Sequence, residues 1–348
     1  MAPISAARQL EGRTLDTGWK VLRIVEPHPA ATGGNFSCGY EVEDSNGRRA
    51  FLKALDYSWA MQSADPAQAL NVMTSAYIFE RDLLNRCRDS GLTRIVTAIT
   101  SGKVVVDGAP MGGLVEYLVF ERADGDIRKQ METAADFDLG WRLACLHHIA
   151  VGLKQLHSEL IAHQDVKPSN VLLFQRSSKL ADLGRAASKG QAPPHEPFQI
   201  AGDPAYAPPE LLYGFVSSEW NIRRLGCDVY LLGSMVVWFF TGLSATALLV
   251  QNLAPEHRPE NWHATHEEVL PYIRESFSQV LAIFQDNSPT GIRDDLTQIV
   301  TELCEPEPAL RGHPKNRGRS EVQFSLERYI SRFDLLAKRM AYYSVRRR

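Results

Sequence analysis

The sequence predicts an α+β protein, a small strand-rich part followed by a larger helical one. Three observations carry that prediction. Short runs of β-branched and aromatic residues, separated by turn signals, fill the first third. Beyond Glu121 the apolar pattern lengthens to helical periods. In the second part, one uncharged segment contains a helix of core length.

Taken in order, "WKVLRIVE" (19–26), "YEVED" (40–44) and "RAFLKALD" (49–56) are expected strands, and Asn46-Gly47 between the last two is a hairpin signal. A helix is expected over 71–88, with Ile78, Leu83 and Leu84 near a 3.6-residue period. Strands follow in "KVVVDG" and "GGLVEYLVFE". The segment "GWRLACLHHIAVGLKQLHSEL" is apolar all round, as a core helix needs. Further helices are expected over 228–241, 267–285, 294–303 and 321–343, the last presenting Ile330, Phe333 and Leu336 on the side that docks on the helical part.

Composition narrows the classes. The chain has 348 residues, 44% hydrophobic and 23% charged, enough to bury a large core. A net charge of −3 excludes a bulk electrostatic drive onto nucleic acid or anionic lipid. The five cysteines (Cys38, Cys87, Cys145, Cys227, Cys304) show no C-x-x-C spacing, and the first residues lack the apolar stretch of a signal peptide. A reducing, cytoplasmic setting is expected. The uncharged run from Val229 to Val250 is long enough to be weighed as a membrane span. However, Thr241-Gly242 reads as a helix end, and a helix from Asp228 to Thr241 spans only roughly 21 Å against a bilayer core of ~30 Å. No membrane contact is expected.

The chemistry concentrates in a few stretches. In "HQDVKPSN" (163–170), an acidic residue (Asp165), a lysine two positions later (Lys167) and an asparagine three beyond that (Asn170) look like machinery for handling phosphate and metal. Twelve residues on, "LADLGRAA" holds a further carboxylate, Asp182, followed by the apolar Leu183. Upstream, Lys53 lies on an expected strand and Glu80 on the next helix, an ammonium–carboxylate pair suited to phosphates. Each motif alone also reads as surface charge or turn chemistry. Their order along the chain is what gives them weight.

Together these residues resemble the eukaryotic-type serine/threonine protein kinases, from roughly Trp19 to Arg311. The resemblance implies a bilobal protein-kinase fold with a small β-rich N-lobe and a large helical C-lobe. Its expected divisions are an extension over 1–18, lobes over 19–120 and 121–315, and a helical extension over 316–348. It implies ATP and Mg2+ as cofactors and a protein as substrate. Asp165 would accept the proton of the substrate hydroxyl, Lys167 would neutralise the transferring phosphoryl group, and Asn170 and Asp182 would bind magnesium. Lys53, held by Glu80, would meet the α- and β-phosphates. Gly33, Gly34, Phe36 and Ser37 would form the phosphate loop, Phe51 would lie over adenine and Phe120 would be the gatekeeper. Backbone groups of Glu121 and Ala123 would meet the base, and Asp126 would reach the ribose or substrate. "APPE" closes an activation segment, Glu210 pairs with Arg311, and Asp228 braces the catalytic-loop backbone. The stretch 243–287 is the expected place for a docking partner.

The pattern departs from the family in four places. The glycine loop has Ser37 at its third glycine, and Phe51 replaces a small residue. Asp203 stands at a usual threonine, where it can pair with Lys167 but adds negative charge near Asp165, so that repulsion would raise one of the two pKa values. Gln164 replaces the arginine that receives an activation-loop phosphate, and between Asp182 and Tyr206 only Ser188 carries an aliphatic hydroxyl. Phosphorylation of that segment is therefore not the expected switch. Three functions are consistent with the sequence. They are an active Ser/Thr kinase, a pseudokinase scaffold with weak nucleotide binding, and a small-molecule kinase. The last is disfavoured by "GDPAYAPPE" and "CDVYLLG". His263 and His266 are read as part of a capping box set by Thr265 and Glu268, not as metal ligands.

Overall fold

A computed structural model describes residues 5–26, 37–109, 113–133, 139–175 and 177–346. By its internal contacts the chain divides into two compact units, one reaching Gly125 and including Leu172–Gln175, the other holding the rest. Glu121 belongs to the first, where the expected boundary at 120/121 would cut it off. Its N–H donates to Thr97 O at 3.1 Å, and its carboxylate accepts from Thr97 N at 2.7 Å.

The first unit is built on a five-stranded antiparallel sheet of order β1-β2-β3-β5-β4. Its strands are β1 (Lys20–Val25), β2 (Ser37–Glu43), β3 (Arg49–Leu55), β4 (Ala98–Val105) and β5 (Leu114–Glu121). Side chains alternate across a strand, so β3 sends Ala50, Leu52 and Ala54 into the core and Phe51, Lys53 and Leu55 to the other face. The buried face is covered by residues 5–19, which are therefore part of this unit and not an appendage. Ala7, Leu10, Leu15 and Trp19 join its core, and Tyr40 OH donates to Ala7 O at 2.7 Å.

Helix α1 runs over Pro66–Asp89, starting five residues before its apolar period suggests. Asp65 caps it by accepting from Gln68 N, and Pro66 occupies the first turn, where no N–H is needed. Its buried positions are Met73, Tyr77, Phe79, Glu80, Leu83, Leu84 and Cys87. Ile78, expected on the core face, is 39% exposed, so the inward stripe runs through Tyr77 and not its neighbour.

The second unit is helical: α2 (Ile127–Thr133), α3 (Leu139–Ser158), α4 (Pro209–Leu212), α5 (Gly226–Thr241), α6 (Ala245–Asn252), α7 (His266–Asn287), α8 (Arg293–Leu303) and α9 (Glu327–Arg346). Helix α5 is buried on almost all its faces, packing against α3, α6, α7 and α8. It ends at Gly242 with φ 78°, and α6 departs at 78°. Among the described residues no single helix is long and apolar enough to cross a membrane. Helix α9 packs on α3, with Phe333 and Leu336 buried and His147 Nδ1 3.1 Å from Ile330 O. Thr265 and Glu268 form the expected capping box of α7, and His266 is buried in a stack on Phe215.

All five cysteines are free and buried. Cys38 and Cys87 lie in the first unit, the other three in the second.

Candidate active site

In the first unit the sheet face opposite the core carries Lys53, whose Nζ lies 3.1 Å from both oxygens of Glu80 on α1. Glu80 is buried and Lys53 partly so, which holds the ammonium in one place. Beside it, Phe51 lies over Gly39: a Cβ on Gly39 would come within 2.8 Å of the Phe51 ring. Glycine in a strand marks this kind of close approach, and any other residue there would displace the ring. Ser37 opens β2 opposite Leu55. Gly33, Gly34 and Phe36 lie outside the described residues. Glu121 has its N–H committed to Thr97, so that half of its backbone is not available to a base. Ala123 follows in the irregular stretch after β5.

In the second unit Asp228, at the start of α5 and fully buried, organises the loop from Ile161 to Asn170. Its Oδ2 accepts from His163 N at 2.8 Å and lies 2.9 Å from His157 Nε2, while its Oδ1 accepts from Gln164 N at 2.8 Å. His163 Nδ1 accepts from Asp165 N at 3.3 Å, which leaves Nε2 to donate to Ala181 O at 3.1 Å. Gln164 is held at φ 66°, a left-handed conformation costly for a residue with a Cβ. The backbone reverses there, and Asp165 emerges aimed at the groups that follow.

Those groups converge on the Asp165 carboxylate. Oδ2 accepts from Asn170 Nδ2 at 2.9 Å and pairs with Lys167 Nζ at 3.3 Å; Oδ1 accepts from Asp203 N at 2.9 Å. Lys167 also reaches Asp203 Oδ2 at 3.3 Å, the expected pair. Burial pushes the Asp165 carboxyl above its ordinary range, with the Asp182 charge adding to it and Lys167 opposing it. Burial, rather than repulsion between carboxylates, is the largest cause. Asp203 donates its backbone N–H to Asp165, which favours the ionised form.

The approach of the two segments depends on Gly202. A Cβ there would lie 2.4 Å from Gln164 O and 2.7 Å from Asp165 Oδ1. No motif announced this glycine, although it neighbours Asp203.

Asp182 is exposed, left-handed at φ 63°, and accepts from Gly184 N at 3.4 Å, while Leu183 is buried. The Asn170 amide is oriented by Nδ2, which donates to Asp165 O and Oδ2. An amide oxygen and a carboxylate are the hard donors that magnesium takes while keeping most of its water, so Asn170 and Asp182 fit that ion. Asp126, expected near ribose or substrate, caps α2, its Oδ1 accepting from Lys129 N at 2.9 Å.

The activation segment closes as expected. Arg311, without exposed surface, donates through Nη1 and Nη2 to Glu210 at 2.7 and 2.8 Å. Ser188 is buried in a short antiparallel pair with Ile161. Sequence reasoning missed Glu196, whose carboxylate bridges Arg223 and Arg224. Charged residues in a loop gave no signal that they would meet.

The protein kinase domain family model matches residues 34–316. A probable serine/threonine-protein kinase of Dictyostelium discoideum is 26% identical over 211 residues, 58% of this chain and 38% of that protein. The chain thus matches about two-fifths of that relative's length.

Proposed function

Because the chain belongs to the protein kinase family, we propose that it transfers the γ-phosphoryl group of ATP to serine or threonine hydroxyls of protein substrates, with Mg2+ as cofactor. The observation that carries this reading is the Asp165 carboxylate, buried yet held by Asn170, Lys167 and the Asp203 N–H. As the substrate oxygen bonds to phosphorus and the bond to ADP breaks, the hydroxyl proton passes to Asp165. Lys167 meets the charge on the transferring group. Lys53, fixed by Glu80, supports a role on the α- and β-phosphates. Asn170 and Asp182 are the residues to hold Mg2+, which supplies charge neutralisation on the phosphates.

In this reading Ser37 contributes its backbone to the phosphate loop, Phe51 offers its ring to the base, and the Glu121 carbonyl and Ala123 contact adenine. The neutral Gln164 and the buried Ser188 support a kinase that is not switched by activation-segment phosphorylation. The protein acts in the cytoplasm, and residues 243–287 are where a partner docks. A scaffold with weak nucleotide binding is the second reading, favoured by the Phe51 ring over Gly39.

Labelled ATP, Mg2+ and generic protein substrates, with Asp165→Asn and Asp182→Ala alongside, test the two. Incorporation by the native chain alone supports the kinase. Nucleotide-induced thermal stabilisation without incorporation supports the scaffold.

A further inference from the structure

Within the activation segment the Glu196 carboxylate meets two guanidinium groups. Arg224 is only 5% exposed, in the turn before α5, and a guanidinium buried that deeply requires a counter-charge. Glu196 supplies it. Its Oε2 lies 2.5 Å from Arg224 Nη2, and its Oε1 accepts from Arg223 Nη1, so one carboxylate bridges two guanidinium groups. Arg224 then reaches the catalytic loop: its Nη1 donates to Gln164 Oε1 at 3.1 Å, and Gln164 Nε2 donates to Arg224 O at 2.9 Å. Gln164 is the left-handed residue directly before Asp165, and its N–H is tied to Asp228.

A continuous chain of contacts therefore runs from Glu196 through Arg224 and Gln164 to the backbone that aims Asp165. An arginine at position 164 would set two cations side by side. The amide instead both accepts from and donates to Arg224. His195, next to Glu196, is buried and neutral, its pKa lowered to about 4 by burial and by the Arg185 and Arg224 charges. It adds no competing positive charge near the pair.

We propose that Glu196 is a positioning residue for Asp165, a permanent substitute for an activating phosphate that locks the activation segment to the catalytic loop through Arg224 and Gln164. The proposal rests on the kinase reading for its effect on rate, but the lock itself is a statement about structure.

Two measurements on the full chain separate the two claims. Amide hydrogen exchange compares native protein with Glu196→Gln and Glu196→Ala. Exchange in peptides covering 163–167 and 196–207 is expected to quicken about tenfold or more, with α3 and α9 unchanged. Steady-state kinetics of the same variants is expected to give a kcat lower by about tenfold or more, with the KM for ATP within about twofold. Formate, which can occupy the space between Arg223 and Arg224, should restore kcat in Glu196→Ala but not in Arg224→Ala. Unchanged exchange in 163–167 overturns the lock whatever the activity. Quickened exchange in a native chain that transfers no phosphate upholds the lock and rejects the kinase reading. Native-like kcat in Glu196→Gln, or no rescue by formate, overturns the positioning role.

Discussion

Replacing Arg311 by methionine removes a buried cation and leaves Glu210 without its partner. Arg311 has no exposed surface, and its two Nη groups meet the two Glu210 oxygens. It also donates through Nε to Glu305 O at 3.0 Å and through Nη1 to Gly226 O at 3.2 Å, with the Tyr230 ring 5.0 Å away. Breaking a buried pair from one side costs about 3–5 kcal/mol, because the remaining charge is stranded away from water. Methionine preserves most of the stem's volume, so a cavity adds little. For a unit of this size the melting transition should fall by about 6–20 °C, at roughly 2–4 °C per kcal/mol. The double replacement Glu210→Leu with Arg311→Met should recover most of that loss, since apolar substitutes for a whole ion pair are often neutral. Calorimetry and urea unfolding of the full chain measure both. An Arg311→Met protein within about 1 kcal/mol of native, or a double variant no better than the sum of the singles, would refute the argument.

Three further outcomes are expected. Gly202→Ala forces a Cβ toward Asp165 Oδ1 and Gln164 O, displacing the Asp203 N–H. kcat should fall by about 100-fold with a stability loss of about 1–3 kcal/mol, and a native kcat would contradict this. Asp165 must be ionised to take a proton and its pKa is raised, so kcat should be lost as pH falls through a value above the usual Asp figure of about 3.9. In the residual activity of Lys167→Met that acidic limb should move to higher pH, because the opposing positive charge is gone; an unmoved limb counts against the assignment. Phe51→Ala should weaken ATP binding by about fivefold, the loss of roughly 1 kcal/mol of aromatic contact, and calorimetric titration showing tighter binding would reverse the reading.

Much of this geometry was legible because the order of the motifs along the chain resembles a known family. Asp165, Lys167 and Asn170 carry weight in that order and not alone, and the structure brings the three together. The Lys53–Glu80 pair and the Asp228 brace followed from the same resemblance, while the end of α5 at Gly242 was readable from glycine's ease in the left-handed cap position. What stayed hidden depends on partners distant in sequence. Glu196, Arg223 and Arg224 are ordinary charges until the chain folds 27 residues back on itself. Leu10 and Leu15 precede the first strand without periodicity, so nothing marked them as the cover of a sheet face.

The distribution of the cysteines has a practical consequence. Each thiol is enclosed, and burial pushes Cys38 up to about 11 and Cys145 up to about 12, so little thiolate exists at neutral pH. The folded chain should resist alkylation, and each site should react only when its surroundings open. Two such sites report on the sheet-containing unit and three on the helical one. Mass spectrometry of a timed alkylation would then read, from the native sequence and without added probes, which unit opens first.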